Sequence, residues 1–442
     1  MRLKPVRFIG HNIGPFDHVE LNWDKDSRYT LIVAENGLGK TTLVAAMAAC
    51  LSFGENNLFP SVHFRRFAHD EEAFAYLELE LDGTTDWIAR WVSQTPPHKF
   101  LDIAPSPDLS SAHRFGVGAL DRDHGACSAN LGSVVSSWSH RWDKQLKARK
   151  VKALAAAYGV SRDLQQPEIR EHQELDKNSL GDILNPFAPV PSSVIFQWVA
   201  NQHINRALAL AEGEEDEAQA YLAAIERVEQ LLGEGLEHPI TFQVERNPFQ
   251  FRVKQNGVLL SVDQLSDGTR SFLSWPLDYL MRASRVNWAN PADSAIAPGL
   301  ILVDEIDAHL HPEWQRRVMP AISRLLPETY IIATTHSPFV VGAAEDAQVF
   351  RIRQDLSVQT DLDELYGYPA DLVLEKAFVP SLYAPELERK LNRLSTLAGK
   401  IAAGDVTPQE KGEHDALLRE LAEVNPWLNN LLAMSQMKGP GT

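Results

Sequence analysis

The chain opens on alternation. Leu3–Ile9 and His18–Trp23 place apolar residues at every second position, the period of half-buried strands, and Tyr29–Val33 is a short apolar run. After Lys40 the apolar positions continue as a helix through Leu51. Ala73–Leu81 and Trp87–Val92 read as two strands joined by Asp82-Gly83, a hairpin signal. From Thr95 to Pro191 the pattern breaks up, with Lys144–Tyr158 as its helical stretch and Val194–Val199 as a further apolar run. Ala207–Leu232 reads as a long helix interrupted at the acidic run Glu212–Glu217, which is a solvated face. Ile240–Val244, Phe249–Val253 and Val258–Val262 read as strands with an Asn256-Gly257 turn, and a helix follows that Pro276 should kink or shift. Leu300–Val303 and Tyr330–Ala333 are buried strands. Everything after Val349 reads as helix, broken near Gly404–Pro408.

Composition places these elements in an ordinary globular protein. Of 442 residues, 44% are apolar and 23% charged, with a formal net charge of −17. The negative balance excludes a surface that is basic all over but leaves room for a local basic groove. Two cysteines, Cys50 and Cys127, cannot form a disulfide framework and point to a reducing compartment. No apolar run reaches the ~18 residues of a membrane span, and the first residues lack the continuous apolar stretch of a secretory signal. The expectation is a soluble cytoplasmic protein with no membrane partner.

Chemistry enters at Ala34-Glu35-Asn36-Gly37-Leu38-Gly39-Lys40-Thr41, between a strand and a helix. In that context backbone amides and the helix N-terminus face a phosphate group, and glycines keep side chains out of the way. Lys40 reaches the β- and γ-phosphates, and the Thr41 hydroxyl is suited to Mg²⁺. Ala34 stands where the usual pattern has its first glycine, which is tolerable if its backbone conformation is ordinary.

Leu300–Val303 ends in Asp304-Glu305. Asp304 is placed to serve the metal and Glu305 to polarise a water in line with the γ-phosphate. His309 and His311 follow, but no Cys or further His nearby completes a zinc shell. Thr334-Thr335-His336-Ser337-Pro338 closes another strand, where His336 can contact the γ-phosphate. Leu265-Ser266-Asp267-Gly268 opens a helix and offers a hydroxyl, amides and a positive dipole end to an anion. One chain already has a phosphate loop, so this second cradle points to a dimer in which it caps the nucleotide of the other copy.

The four motifs in this order resemble the head of ABC-type ATPases. AENGLGKTT resembles Walker A, QLSDGTRSF the signature, LILVDEIDAHLHP Walker B and TTHSP the switch histidine. The stretch between Lys40 and Asp304 is too short for long coiled-coil arms, so the chain resembles the compact branch related to chromosome-maintenance, RecF and OLD proteins. Within that branch it is similar to ATPases of bacterial anti-phage defence operons (Septu, PARIS and retron-associated systems), a likeness carried by ELYGYPADLVLEKAF and the helical tail. The resemblance implies ATP and Mg²⁺ as ligands. Asn36, Gly37, Gly39, Lys40, Thr41 and Thr42 would hold phosphate and metal. Asp304 would serve the metal, Glu305 the water and His336 the γ-phosphate. Ser266 and Gly268 would act on the partner copy, and Asp307 would lie in the dimer-contact loop. Gln197 is the candidate for the glutamine that completes the metal site, and Asn12 lies near the end of the first strand.

The expected fold class is α/β, a P-loop NTPase of ABC type with a mixed central sheet, a largely helical insertion and a helical tail. Its expected divisions are 1–100 (first ATPase lobe), 101–239 (insertion), 240–360 (second lobe) and 361–442 (helical region). Three functions fit: a head-to-head dimeric, or higher-order, switch controlling a separately encoded nuclease or toxin, a RecF-like clamp on DNA, or an ATP-bound scaffold that sequesters a toxin. The basic run His140–Lys152 is the candidate DNA strip, weighed against a solvated helix face. Asp361 and Asp363 are read as a turn and not as part of a Toprim nuclease site.

Overall fold

A computed structural model describes residues 3–23, 27–51, 68–70, 72–81, 84–91, 98–99, 126–128, 153–169, 175, 183–236, 238–246, 249–286, 296–360, 362, 365–378 and 385–424. The chain forms two compact units, Met1–Phe378 and Val379–Thr442. The first is mixed α/β.

Alternation builds an antiparallel sheet. β1 (Leu3–Ile13) pairs with β2 (Phe16–Asn22) and β4 (Phe74–Leu81), and β5 (Thr84–Trp91) and β6 (Ala126–Ser128) extend it, in the order β2-β1-β4-β5-β6. The Asp82-Gly83 turn lies outside the described residues. The apolar runs build a second sheet, β14-β13-β3-β12-β11-β7, from β3 (Tyr29–Val33), β7 (Leu154–Tyr158), β11 (Gly299–Val303), β12 (Thr329–Thr335), β13 (Ala347–Ile352) and β14 (Val358–Gln359). All but β14 are parallel. Every residue of β3, β7, β11 and β12 is buried, as expected of strands covered on both faces.

Helix α1 (Lys40–Leu51) packs on strands of both sheets. That explains its sequence: it is apolar all round, and every residue except Thr41 is buried.

Two expectations change. Lys144–Tyr158 is not helical where it is described: Leu154–Tyr158 is strand β7. Three consecutive alanines favour a helix in isolation, but pairing with β11 and burial outweigh that preference. Small side chains also suit a strand on which both α1 and α4 (below) pack. The stretch 101–239 therefore contributes a strand to the central sheet. The apolar run Val194–Val199 lies inside helix α2 (Ser192–Glu212). The interruption expected at Glu212–Glu217 is present: α2 and α3 (Glu215–Leu236) are separate helices, divided at Gly213 with φ 81°. The second change is that the region after Val349 is not purely helical, because β13 continues to Ile352 and β14 follows.

The hairpin expectation holds. β8 (Ile240–Arg246), β9 (Phe249–Gln255) and β10 (Val258–Leu260) form a three-stranded sheet, with Asn256 and Gly257 both at positive φ. α4 (Asp267–Arg285) continues through Pro276 as one helix. α5 (Pro312–Leu325), α6 (Pro338–Ala343) and α7 (Ala370–Val373) also belong to the first unit. The described residues of the second unit form a pair of helices, α8 (Pro385–Ala403) and α9 (Pro408–Val424), separated at Gly404 with φ 73°. Ion pairs Lys390–Glu420, Arg393–Glu413 and Lys400–Glu410 set them antiparallel. Leu394, Leu397 and Leu421 are buried in this unit. Among the described residues no helix is long and apolar enough to cross a membrane.

Candidate functional site

Parallel pairing brings the chemistry to one edge. Val303 of β11 sits opposite Ala333 of β12 and Tyr158 of β7, and Ala333 sits opposite Leu31 of β3. The segments that follow these strands therefore leave the same carboxyl edge, where ligands of open α/β sheets bind. They are Ala34–Gly39, Gly159–Gln166, Asp304–Leu310 and His336–Ser337.

In the loop after β3, Gly37 and Gly39 have φ of 82° and 90°. A Cβ on Gly39 would stand 2.5 Å from Phe16 Cε2 and 2.6 Å from Pro15 Cγ, whereas one on Gly37 meets nothing within 4 Å. Ala34 is absent from the positive-φ residues, so it needs no glycine. Gly39→Ala is therefore expected to lower the unfolding temperature more than Gly37→Ala. Both carry left-handed strain of about 1–3 kcal/mol, and Gly39 adds an overpacking cost of similar size. Thermal unfolding checks the order, and equal losses would contradict it.

Lys40 is buried, and its Nζ donates to the carbonyls of Ala34 (3.0 Å) and Glu35 (3.1 Å). Burial holds its pKa below the ordinary lysine value, while Glu305, Asp304 and Asp307 pull it upward. Asn36 is exposed, and Thr42 is buried at the start of α1.

Asp304 is the hub. Its carboxylate, 1% exposed, accepts from Thr41 Oγ1 and from Thr334 Oγ1, each at 2.6 Å. Its own N–H donates to the Tyr158 carbonyl at 2.8 Å. Thr334 Oγ1 also accepts from the Glu305 N–H at 2.7 Å. Glu305 stands at φ 48°, a left-handed conformation uncommon outside glycine. Asp307 Oδ1 accepts from Thr335 Oγ1 and from the His336 N–H. The Thr41 hydroxyl and the Asp304 carboxylate, already in contact, are hard oxygen donors of the kind Mg²⁺ takes from protein, so the residues fit that ion.

The His336 Nε2 is buried without a hydrogen-bond partner. Burial, and then the charge on Lys40, hold the imidazole below its ordinary pKa against the pull of the three carboxylates, so it is neutral near pH 7.

Ser266 is exposed and caps α4, its Oγ accepting from the Thr269 N–H at 3.1 Å. Gly268 has a local reason: a Cβ there would come within 2.8 Å of the His309 carbonyl and 3.1 Å of the Trp314 ring. His309 takes a positive φ in this turn, and His311 caps α5.

Gln197 does not sit at a strand end. It is a buried residue inside α2, and its Nε2 donates to Asn201 Oδ1 at 3.0 Å. The Asn12 side chain donates to Asp70 at 2.6 Å. The basic run at 140–152 and residues 361 and 363 lie outside the described residues. Two participants escaped the sequence reading. Thr334 was visible in the motif but had no assigned task. Arg162 follows β7, and reading that strand as helix hid it.

Residues 137–342 match the family described as "AAA domain, putative AbiEii toxin, Type IV TA system", and residues 9–91 match an AAA domain family. The chain is similar to a retron Ec83 probable ATPase of Escherichia coli, 32% identical over 33% of this chain and 26% of that protein. It is also similar to a Septu protein PtuA of Bacillus thuringiensis, 32% identical over 32% of this chain and 38% of that protein. Both matches thus span well under half of the relatives' length. Among solved structures, the SMC head bound to the C-winged helix domain of ScpA aligns over 80% of this chain and 97% of its own, at 11% identity and TM-score 0.45. The SMC head domain from Thermotoga maritima aligns over 82% and 100%, at 14% identity and TM-score 0.40.

Proposed function

We propose that this chain, which carries AAA-type ATPase domains and is homologous to the retron and Septu ATPases, binds ATP on its Ala34–Thr41 loop and hydrolyses it. The observation that carries the reading is the Asp304 carboxylate bracketed by Thr41 and Thr334. It links the phosphate loop to the strand ends that supply Glu305 and His336.

Each residue has a task in this reading. Lys40 exchanges its two carbonyl acceptors for phosphate oxygens when nucleotide arrives. Thr41 and Asp304 hold Mg²⁺, which neutralises phosphate charge when bound. Glu305 takes the proton of the attacking water, and neutral His336 donates from Nε2 to the γ-phosphate. Gly37 and Gly39 give the loop its shape, Asn36 and Thr42 flank the phosphates, and Asp307 fixes the turn before His336.

Two copies close head to head on ATP. The exposed Ser266 at the start of α4 supports this, because a helix N-terminus favours an anion. Gly268 acts indirectly, letting the α4 start pack on the His309 turn. Closure and hydrolysis then control a separate nuclease or toxin in anti-phage defence. The retron and Septu relatives motivate that step.

The test is phosphate release from ATP with Mg²⁺ and with the cation chelated. Cation-dependent release that Thr41→Ala slows is expected. Release indifferent to both would overturn the reading.

A further inference from the structure

Arg162 lies four residues beyond the end of β7, next to the strand that delivers Asp304 and Glu305. It is 2% exposed. Its Nη2 donates to the Glu305 carbonyl, while Nε and Nη1 are buried without hydrogen-bond partners. Burial lowers this guanidinium to a pKa of about 10, so it stays cationic at pH 7. Asp304, Asp307 and Glu305 supply the opposing charge. A cation placed here at such desolvation cost needs a reason beyond packing.

Glu305 supplies it. A non-glycine residue in the left-handed region costs about 1–3 kcal/mol and persists only where its surroundings over-determine it. Both backbone groups of Glu305 are held, the N–H by Thr334 Oγ1 and the carbonyl by Arg162 together with the Ala308 N–H (2.8 Å) of the same turn. The next N–H, of Ile306, donates to the Thr334 carbonyl at 2.9 Å. Without Arg162 the Glu305 backbone keeps its hold from β12 and from within its own turn, and loses the one from the β7 side.

The loop that carries Arg162 is itself tied down. A Cβ on Gly159 would overlap the Pro186 carbonyl. The Gln165 N–H donates to Ser192 Oγ at the start of α2 (3.1 Å), and Gln166 Oε1 accepts from the Val262 N–H just before the Ser266 turn (2.7 Å). Asp163 pairs with Arg270 of α4 at 3.3 Å. The segment is therefore fastened to the helix that opens at Ser266 and, through one guanidinium, to Glu305.

We infer that Arg162 is a positioning residue for Glu305, locking its peptide in the conformation that aims the carboxylate at water. This rests on the reading of Glu305 as the proton acceptor in ATP hydrolysis.

The experiment compares Arg162→Ala and Arg162→Lys with the parent, each also combined with Glu305→Gln. Arg162→Ala is expected to lower kcat by about 10²-fold, the cost of roughly 1 Å of misplacement, with KM and nucleotide affinity within about threefold. Arg162→Lys, which keeps charge and one donor, recovers most of that loss and also serves if the alanine variant fails to fold. In the Glu305→Gln background neither change lowers the residual rate further, because the group being positioned is gone. A merely structural role would lower both backgrounds alike. Hydrogen exchange on the nucleotide-free protein is a second readout. Amides from Glu305 to Leu310 exchange about tenfold faster in Arg162→Ala, and those around Lys40 are unchanged. Parental turnover with parental exchange would overturn the inference, as would a loss of affinity at constant kcat. Exchange reads the clamp even in a chain that hydrolyses nothing, so failure of the ATPase reading and failure of this one are distinguishable.

Discussion

Glu305→Gln lowers ATP turnover by about 10²–10⁴-fold, the usual worth of a positioned proton acceptor, and leaves ATP affinity within about threefold of the parent. The substitution removes basicity and almost nothing else. The backbone of Glu305 is fixed at φ 48° by Thr334 and Arg162, neither of which bonds its side chain. Glutamine has the same shape and inherits these backbone bonds and the one from the Ala308 N–H. With binding intact and hydrolysis blocked, the ATP-bound state accumulates. Sedimentation with ATP should then show dimers that the parent forms only transiently. Single-turnover phosphate release is the measurement for the chemistry, and parental rates in the variant would remove Glu305 from the mechanism.

Lys40→Ala has the second large effect, and it falls on binding. Two charge-assisted hydrogen bonds to phosphate, at about 1.5–3 kcal/mol each, correspond to a loss in affinity of about a hundredfold or more. The lysine has few ways to be replaced. It is buried at the first turn of α1, and its Nζ already sits on the loop carbonyls of Ala34 and Glu35. No other lysine or arginine lies in the Ala34–Thr41 loop. Titration with a fluorescent ATP analogue checks it, and retained affinity would show that phosphate binds elsewhere.

Much of this site could be read from the chain because its parts are local. A strand, a glycine-bearing loop and a helix are contiguous at Tyr29–Leu51, and the apolar run before Asp304-Glu305 marks a buried strand on its own. The remainder depends on tertiary contact. Alanine-rich Leu154–Tyr158 has the local preference of a helix and becomes a strand only because β11 pairs with it and helices cover it. With that strand misread, nothing marked Arg162 as a neighbour of Glu305. Gly268 looked like part of an anion cradle, but its closest constraint is the His309 carbonyl, which sequence cannot place beside it. Gln197 followed an apolar run that fits a strand or a buried helix equally well, and the structure makes it helix.

The shared site is tested most directly by subunit complementation. Lys40→Ala spoils the phosphate loop and keeps Ser266. Ser266→Arg keeps the loop and obstructs the α4 start, at a capping cost of about 1 kcal/mol. Each variant alone should be inactive. Mixed in equal amounts, half the dimers are mixed, and each holds one intact composite site, so roughly a quarter of parental ATP turnover returns. A mixture that stays inactive, or a Ser266→Arg protein that turns over ATP unaided, would contradict a nucleotide held between two copies.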